Sequence, residues 1–274
     1  MFKAALKTTS FALVLAFAPV AGATQNVNSL EEVVQVSVLP GWRMDNGHHM
    51  AAIQIMLAEG WKTYWRAPGE AGIPPSFAWG ASRNLGSVAL RWPTPTVFDQ
   101  NGLQSIGYSG VVTIPIELTP TKPGAQAIVL RGEMELGVCQ DICIPVSVRL
   151  DAELTAPGKP DPVIRASLKK RPATSKEAGV RSVICTVEPI SDGLRMTTRI
   201  DVPRFGQDET VVVELNDQSV WVSQAIVRRT GGRLVITSEL VPPAAAPFLL
   251  DRSDVRITIL GDQRAADIRG CAAN

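Results

Sequence analysis

Short segments in which apolar and polar residues alternate, separated by proline and glycine, dominate this chain. The alternation is clearest at residues 32–39, where valine occupies positions 34, 36 and 38, and it recurs at 49–57, 111–118 and 146–154. A period of two is typical of strands that bury one face. Helical periodicity is almost absent, so the sequence predicts an all-β protein built from antiparallel β-sandwiches.

A proline-rich stretch divides these strands into two groups. Residues 156–178 carry several prolines and a basic cluster at 169–171, which is typical of a linker, and we expect one short helical turn near 162–170. A second series of strand patterns follows, with Asn216-Asp217 and Gly231-Gly232 as hairpin-turn signals. We therefore predict a first sandwich over residues 24–155, a linker over 156–179 and a second sandwich over 180–274.

The N-terminus has the features of an export signal. Lys3 and Lys7 precede a short apolar run, and Ala21-Gly22-Ala23 is a small-residue cleavage site. We expect residues 1–23 to be removed as a signal peptide, which leaves a soluble protein in the periplasm, where disulfides persist. An uncleaved signal anchor is the alternative.

Charge and motifs exclude several classes of function. The formal net charge is +1 and the chain has only two histidines. This is not the basic footprint of a nucleic-acid-binding protein, so we expect no nucleic-acid partner. The sequence also shows no nucleotide-binding loop and no zinc-ligand spacing, and we expect no organic cofactor.

The four cysteines fall into two pairs of very different spacing. Cys139 and Cys143 lie within the segment GVCQDICIP, whereas Cys185 and Cys271 are far apart. In the chain-entropy model, closing the short ring stabilises the fold by only about 2 kcal/mol, against about 4.6 kcal/mol for the long loop. We therefore predict that Cys185–Cys271 is a structural disulfide and that Cys139–Cys143 is a redox-active pair.

The charges near the short-spaced pair disfavour a thiolate. No lysine, arginine or histidine adjoins it in sequence, while Asp141 lies between the cysteines and Glu133 and Glu135 precede them. We expect the reduced pair to react slowly until a partner docks. An inert disulfide at the end of a strand is the alternative.

Two methionines and two histidines between Met44 and Met50 are ligand types suited to copper. Neighbouring residues in a strand point to opposite faces, so His48 and His49 would diverge. We favour a turn followed by a core strand and predict no metal site there. Copper binding by the reduced cysteines stays open, because thiolates bind Cu(I) well.

Three blocks of sequence resemble a known family. Residues 60–72, GWKTYWRAPGEAG, resemble the signature of the periplasmic N-terminal domain of the DsbD family of thiol:disulfide interchange proteins, and its ScsB-like branch, linked to copper tolerance, is the closer match. The blocks IGYSG at 106–110 and CIP at 143–145 follow in the order of that family. The resemblance covers about residues 30–155.

The resemblance implies that the first domain is an immunoglobulin-like sandwich that acts in thiol–disulfide exchange. We expect the second domain to be an immunoglobulin-like antiparallel β-sandwich as well. Electrons would come from a membrane-embedded thiol:disulfide transporter and pass to a periplasmic thioredoxin-fold protein or disulfide isomerase. By position, Cys143 would form the mixed disulfide and Cys139 would resolve it. Phe98 is similar in placement to an aromatic cap, and Tyr64 and Tyr108 are similar to residues that line the site.

The chain differs from the full-length pattern of that family, because it has no counterpart of the eight-helix membrane domain or the C-terminal thioredoxin domain. We therefore expect the electron donor to be a separate protein, and the direction of transfer stays open. The favoured activity is that of a protein-disulfide reductase. The alternatives are a copper-binding or copper-tolerance protein that uses the same cysteines, and a non-catalytic structural adaptor.

Overall fold

The computed structural model describes residues 30–70, 72–100, 102–122, 124, 126–246, 248–262 and 264–273. The predicted signal peptide lies outside these residues. Strands dominate the described part of the chain, which confirms the all-β prediction. None of its helices has the length and apolar composition that crossing a membrane requires.

The first half begins with a short helix, α1 (Leu30–Val33), and continues with ten strands in two antiparallel sheets. The strands are β1 (Val34–Arg43), β2 (His49–Leu57), β3 (Lys62–Gly69), β4 (Ser76–Ala78), β5 (Ser87–Leu90), β6 (Thr96–Gln100), β7 (Leu103–Ser109), β8 (Val111–Thr119), β9 (Ile128–Cys139) and β10 (Cys143–Leu154). One sheet has the order β1-β2-β8-β5. The other has the order β10-β9-β3-β7-β6, with β4 beside β9.

The second half contains ten further strands, again in two sheets. They are β11 (Ala173–Thr174), β12 (Ser182–Ile190), β13 (Gly193–Asp201), β14 (Thr210–Glu214), β15 (Trp221–Val222), β16 (Ile226–Thr230), β17 (Arg233–Val241), β18 (Arg256–Leu260), β19 (Ala265–Arg269) and β20 (Ala272–Ala273). The sheet orders are β11-β19-β18-β14 and β15-β17-β13-β12-β20, with β16 beside β17. A single 3-10 turn, Pro243–Ala245, follows β17.

Each half has its own apolar core. The first is formed by large side chains such as Trp65, Ile114 and Leu136, which are 1% exposed or less. Two residues of the second half, Leu260 and Ala265, also pack into this first core. The two halves are therefore in apolar contact.

The segment between the two halves is packed against the first sheet. Its helix, α2 (Pro162–Leu168), begins after Asp161, whose carboxylate accepts hydrogen bonds from the backbone N–H groups of Val163 and Ile164. Such a cap satisfies donors that a helix start otherwise leaves unpaired. Ile164 is fully buried against Met50. The domain boundaries themselves stay a prediction.

A polar contact also joins the halves at β3. The Arg66 guanidinium donates two hydrogen bonds of 2.9 Å to the Glu214 carboxylate in β14. The same guanidinium lies 3.7 Å from the ring centroid of Trp65. A two-pronged contact of this kind fixes orientation as well as distance, so it orients β3 relative to β14.

Candidate functional site

The short-spaced cysteines face each other across a tight hairpin. Cys139 is the last residue of β9, Cys143 is the first of β10, and the two are direct partners in the antiparallel ladder. A turn of three residues connects them, closed by a hydrogen bond from the Gln140 N–H to the Ile142 carbonyl. The sulfurs are bonded and the Cα atoms are 4.1 Å apart. The hairpin therefore brings the two thiols together.

The two sulfur-bearing residues differ in access to solvent. Cys139 is 1% exposed, whereas Cys143 is exposed and lies next to Ile142, which is 70% exposed. A protein that docks on this hairpin would reach Cys143 first. Cys139 could be attacked from outside only after a rearrangement.

Tyr64 provides a hydroxyl group directly at the disulfide. Its oxygen donates a hydrogen bond to Cys139 Sγ at 2.9 Å and lies 3.4 Å from Cys143 Sγ. Burial raises the pKa of Tyr64, so the hydroxyl keeps its proton throughout the neutral range. It can therefore act as a hydrogen-bond donor to either sulfur.

Two glycines leave the space that the Tyr64 ring occupies. A Cβ on Gly72 would lie 2.7 Å from Tyr64 Cδ1, and a Cβ on Gly137 would lie 3.3 Å from Tyr64 Cδ2. Gly72 ends the block at 60–72, and Gly137 begins the cysteine segment. The two blocks thus meet at this ring.

Lys62 is the site residue that sequence reasoning missed. It is the direct ladder partner of Cys139 and is only 7% exposed. Its ammonium donates a hydrogen bond to Ser105 Oγ at 3.2 Å and lies 5.3 Å from the Phe98 ring centroid. Burial lowers the pKa of Lys62. The strand beside the cysteine segment therefore carries a cation that the segment itself lacks.

A signal for Lys62 was present in the sequence. Residues two apart in a strand share a face, so a site-facing Tyr64 implies a site-facing Lys62. The motif at 60–72 contains both residues.

Phe98 lies on the same side of the sheet as Lys62. It is half-buried in β6, opposite Ser105 of β7, and its ring packs against the Lys62 ammonium. The cap position implied by the resemblance stays a prediction.

The expectation that Tyr108 lines the site needs correction. Tyr108 is 6% exposed within the first core, and its hydroxyl donates a hydrogen bond to the Pro93 carbonyl at 2.8 Å. Strand alternation gives the reason, because Gly107 pairs with the site-facing Tyr64 and its neighbour Tyr108 must point the other way.

The two histidines have separate partners. His48 Nδ1 lies 2.7 Å from Glu117 Oε1, whereas His49 Nε2 lies 2.6 Å from the Pro40 carbonyl oxygen. Among the described residues, no group of three or more His, Cys, Asp or Glu side chains is arranged to hold a metal ion.

The second disulfide, Cys185–Cys271, joins β12 to the segment just before β20. Cys185 is fully buried, and its sulfur lies 3.3 Å from Thr198 Oγ1. No lysine or tyrosine contact to these sulfurs is seen within the described residues. The surroundings of the two disulfides are therefore chemically different.

Comparisons with known proteins agree with this fold. Residues 28–155 match the model of the family described as thiol:disulfide interchange protein DsbD, N-terminal. The crystal structure of the N-terminal periplasmic domain of ScsB from Proteus mirabilis is similar in fold, with a TM-score of 0.63 and 21% identity over 88% of this chain and 93% of that one. No curated protein matches the chain. Residues 28–155 therefore form an N-terminal domain of the DsbD family of thiol:disulfide interchange proteins.

Proposed function

We propose that this protein is a periplasmic thiol–disulfide exchange protein that uses Cys143 and Cys139 as its redox pair. The observation that carries the proposal is the arrangement of an exposed Cys143 bonded to a buried Cys139, with the Tyr64 hydroxyl at both sulfurs. An exposed sulfur can be shared with a partner, and a buried sulfur beside it can take the bond back. This is the division of labour that a relay needs.

The reaction proceeds through a mixed disulfide. In the reduced protein, the Cys143 thiolate attacks a disulfide of the acceptor, and one acceptor sulfur leaves as a thiolate. The Cys139 thiolate then attacks Cys143 Sγ, which restores the Cys139–Cys143 bond and releases the second acceptor sulfur. In total, two electrons and two protons pass from this protein to the acceptor.

The same steps run in reverse for reduction. One thiolate of a dithiol in the membrane-embedded transporter attacks Cys143 Sγ, and the Cys139 thiolate leaves and takes a proton from water. The second transporter thiolate then attacks the transporter sulfur bonded to Cys143, which forms the transporter disulfide and releases the Cys143 thiolate. The acceptor is a thioredoxin-fold protein or disulfide isomerase. The DsbD-family match over residues 28–155 supports both partner classes.

Tyr64 assists whichever sulfur leaves. A thiolate is stabilised by a hydrogen-bond donor more than a thiol is, because hydrogen bonds to charged groups are stronger. The hydroxyl lies within 3.4 Å of both sulfurs, so it can follow the negative charge from one to the other.

A redox titration tests the proposal. The purified protein is equilibrated in glutathione or dithiothreitol buffers, and each cysteine pair is read by alkylation and mass. Structural disulfides typically have reduction potentials below about −300 mV. We expect Cys139–Cys143 to have a higher reduction potential than this, while Cys185–Cys271 stays oxidised. If both pairs resist reduction equally, the relay is refuted.

The two alternatives give different results. If the protein is isolated with Cys139 and Cys143 reduced and bound to copper, copper binding is favoured over disulfide exchange as its function. Full cellular function in a Cys139→Ser/Cys143→Ser double variant would instead indicate a structural adaptor.

A further inference from the structure

We propose that Lys62 is a positioning residue that supplies the positive charge for the Cys139 thiolate when the mixed disulfide is resolved. The inference rests on the proposed function and extends it to a residue outside the cysteine segment. It concerns the second step of exchange, in which the Cys139 thiolate attacks Cys143 Sγ and the partner sulfur departs as a thiolate. The departing thiolate takes a proton from water.

Cys139 has the greater need for such a charge. It is 1% exposed, and burial of an ionised group without a compensating charge is unfavourable. Cys143 is exposed and can be solvated by water. A resolving thiolate in a buried position therefore needs support from the protein itself.

Lys62 is placed to give that support. Side chains of direct partners in an antiparallel ladder lie on one face with Cβ atoms about 4.5–5.5 Å apart, and Lys62 is the partner of Cys139. Ser105 Oγ and the Phe98 ring hold the ammonium on this face. With 7% of the residue exposed, its charge is screened less by salt than a surface charge would be.

The other groups on this face do not replace it. From β3 comes the neutral Tyr64, and β6 and β7 contribute Phe98, Ser105 and Ser109, all uncharged. Glu135, in β9, is exposed and accepts a hydrogen bond from Ser76. From β10, Arg149 pairs with Glu133 of β9, six ladder positions from the Cys143–Cys139 pair. Asp141, in the turn, is exposed and of the wrong sign.

The test measures ionisation of Cys139 directly. In a Cys143→Ala background with Cys185–Cys271 intact, Cys139 is the sole thiol, and its thiolate absorbance is followed against pH below the range in which tyrosines ionise. We expect Lys62→Met to reduce the thiolate fraction at neutral pH about tenfold, a shift of about one pH unit in the midpoint. Lys62→Arg retains the charge and should restore the midpoint. Lys122→Met, an exposed lysine of the same half, is the matched control.

A kinetic measurement gives the second readout. The Cys143–glutathione mixed disulfide is prepared, and glutathione release by Cys139 is timed. Lys62→Met should slow release about tenfold at pH 7, and the difference should vanish at high pH, where Cys139 is fully ionised. A purely structural role for Lys62 would instead slow release equally at every pH.

Thermal unfolding checks each variant, and Lys62→Gln replaces Lys62→Met if the latter does not fold. If the pH midpoint of Cys139 ionisation is unchanged in the folded variant, the proposal is overturned. Failure of the relay would give a different result. Protein partners would then form no mixed disulfide with Cys143, although the midpoint of Cys139 ionisation would still depend on Lys62.

Discussion

The two disulfides of this protein differ in ring size, exposure and surroundings. Cys139 and Cys143 are separated by 4 positions and form one end of a hairpin, whereas Cys185 and Cys271 are separated by 86. The first bond includes an exposed residue and has the Tyr64 hydroxyl beside both sulfurs. The second is anchored at the fully buried Cys185.

This is the difference we expect between a bond that holds the fold and one that can be exchanged. A long loop restricts the unfolded chain strongly, so its closure stabilises the folded state more than that of a short ring. A short ring at an exposed turn can open without releasing any strand from its sheet. Variants that act on one disulfide and spare the other test whether the separation is real.

The largest effect is expected from removal of the exposed sulfur. Cys143→Ser should abolish mixed-disulfide formation with a thioredoxin-fold partner, because no accessible thiol of the pair is left. Cys139→Ser should instead accumulate the mixed disulfide, since nothing resolves it. Both are read on non-reducing gels and by mass.

The matched control is the Cys185→Ser/Cys271→Ser double variant, which should still form and resolve mixed disulfides at a temperature where it is folded. Loss of exchange in that folded variant would contradict the assignment of the two pairs.

Stability should show the opposite order. We expect Cys185→Ser/Cys271→Ser to lower the free energy of unfolding by about 4.6 kcal/mol, and Cys139→Ser/Cys143→Ser to lower it by about 2 kcal/mol. Denaturant titration followed by circular dichroism measures both. Equal losses would mean that the short-spaced bond is structural as well.

Hydroxyl groups beside the sulfurs give a smaller, matched comparison. Tyr64→Phe removes the donor at Cys139 Sγ, and we expect exchange to slow about tenfold, since a hydrogen bond to a charged group contributes about 1.5–3 kcal/mol. Thr198→Val removes the hydroxyl near Cys185 Sγ and should leave the exchange rate unchanged. Stopped-flow measurement with a small disulfide compares the two. An equal rate for Tyr64→Phe and the unmodified protein would exclude a role for the hydroxyl.

The smallest effect concerns the histidine contribution to stability between pH 7 and pH 5, which comes from the first half. Both histidines lie there, and burial lowers the pKa of His49. The unfolded chain then binds the proton more readily, so stability is complete above about pH 6.5 and falls below it by at most about 1.4 kcal/mol per pH unit. His49 Nδ1 is buried and has no hydrogen-bond partner, so protonation of His49 would bury an unpaired N–H group.

Thermal unfolding between pH 7 and pH 5 measures this dependence. His49→Gln should flatten it, whereas His48→Gln, at a residue that is 34% exposed in its side chain, should flatten it less. A slope that is unchanged in His49→Gln would assign the acid sensitivity to other groups.

Local sequence was sufficient to predict the fold class and the pairing of the four cysteines that the structure shows. Alternating valines and proline or glycine breaks give strands regardless of what the strands later contact, because side-chain period is a property of the local backbone. The spacing of Cys139 and Cys143 likewise bounds the stabilisation that their bond can provide. The family resemblance also rests on contiguous blocks, and residues 28–155 match that family.

The surroundings of the sulfurs were decided by the tertiary structure. Whether a lysine faces a cysteine depends on which strands pair and in which register, and Lys62 of β3 pairs with Cys139 of β9, which is distant in sequence. The same register turned Tyr64 toward the sulfurs and Tyr108 into the core. A shift of one residue would exchange those faces. The sequence by itself therefore determined strands and thiols, and only the pairing of the strands determined which charges and hydroxyls the thiols meet.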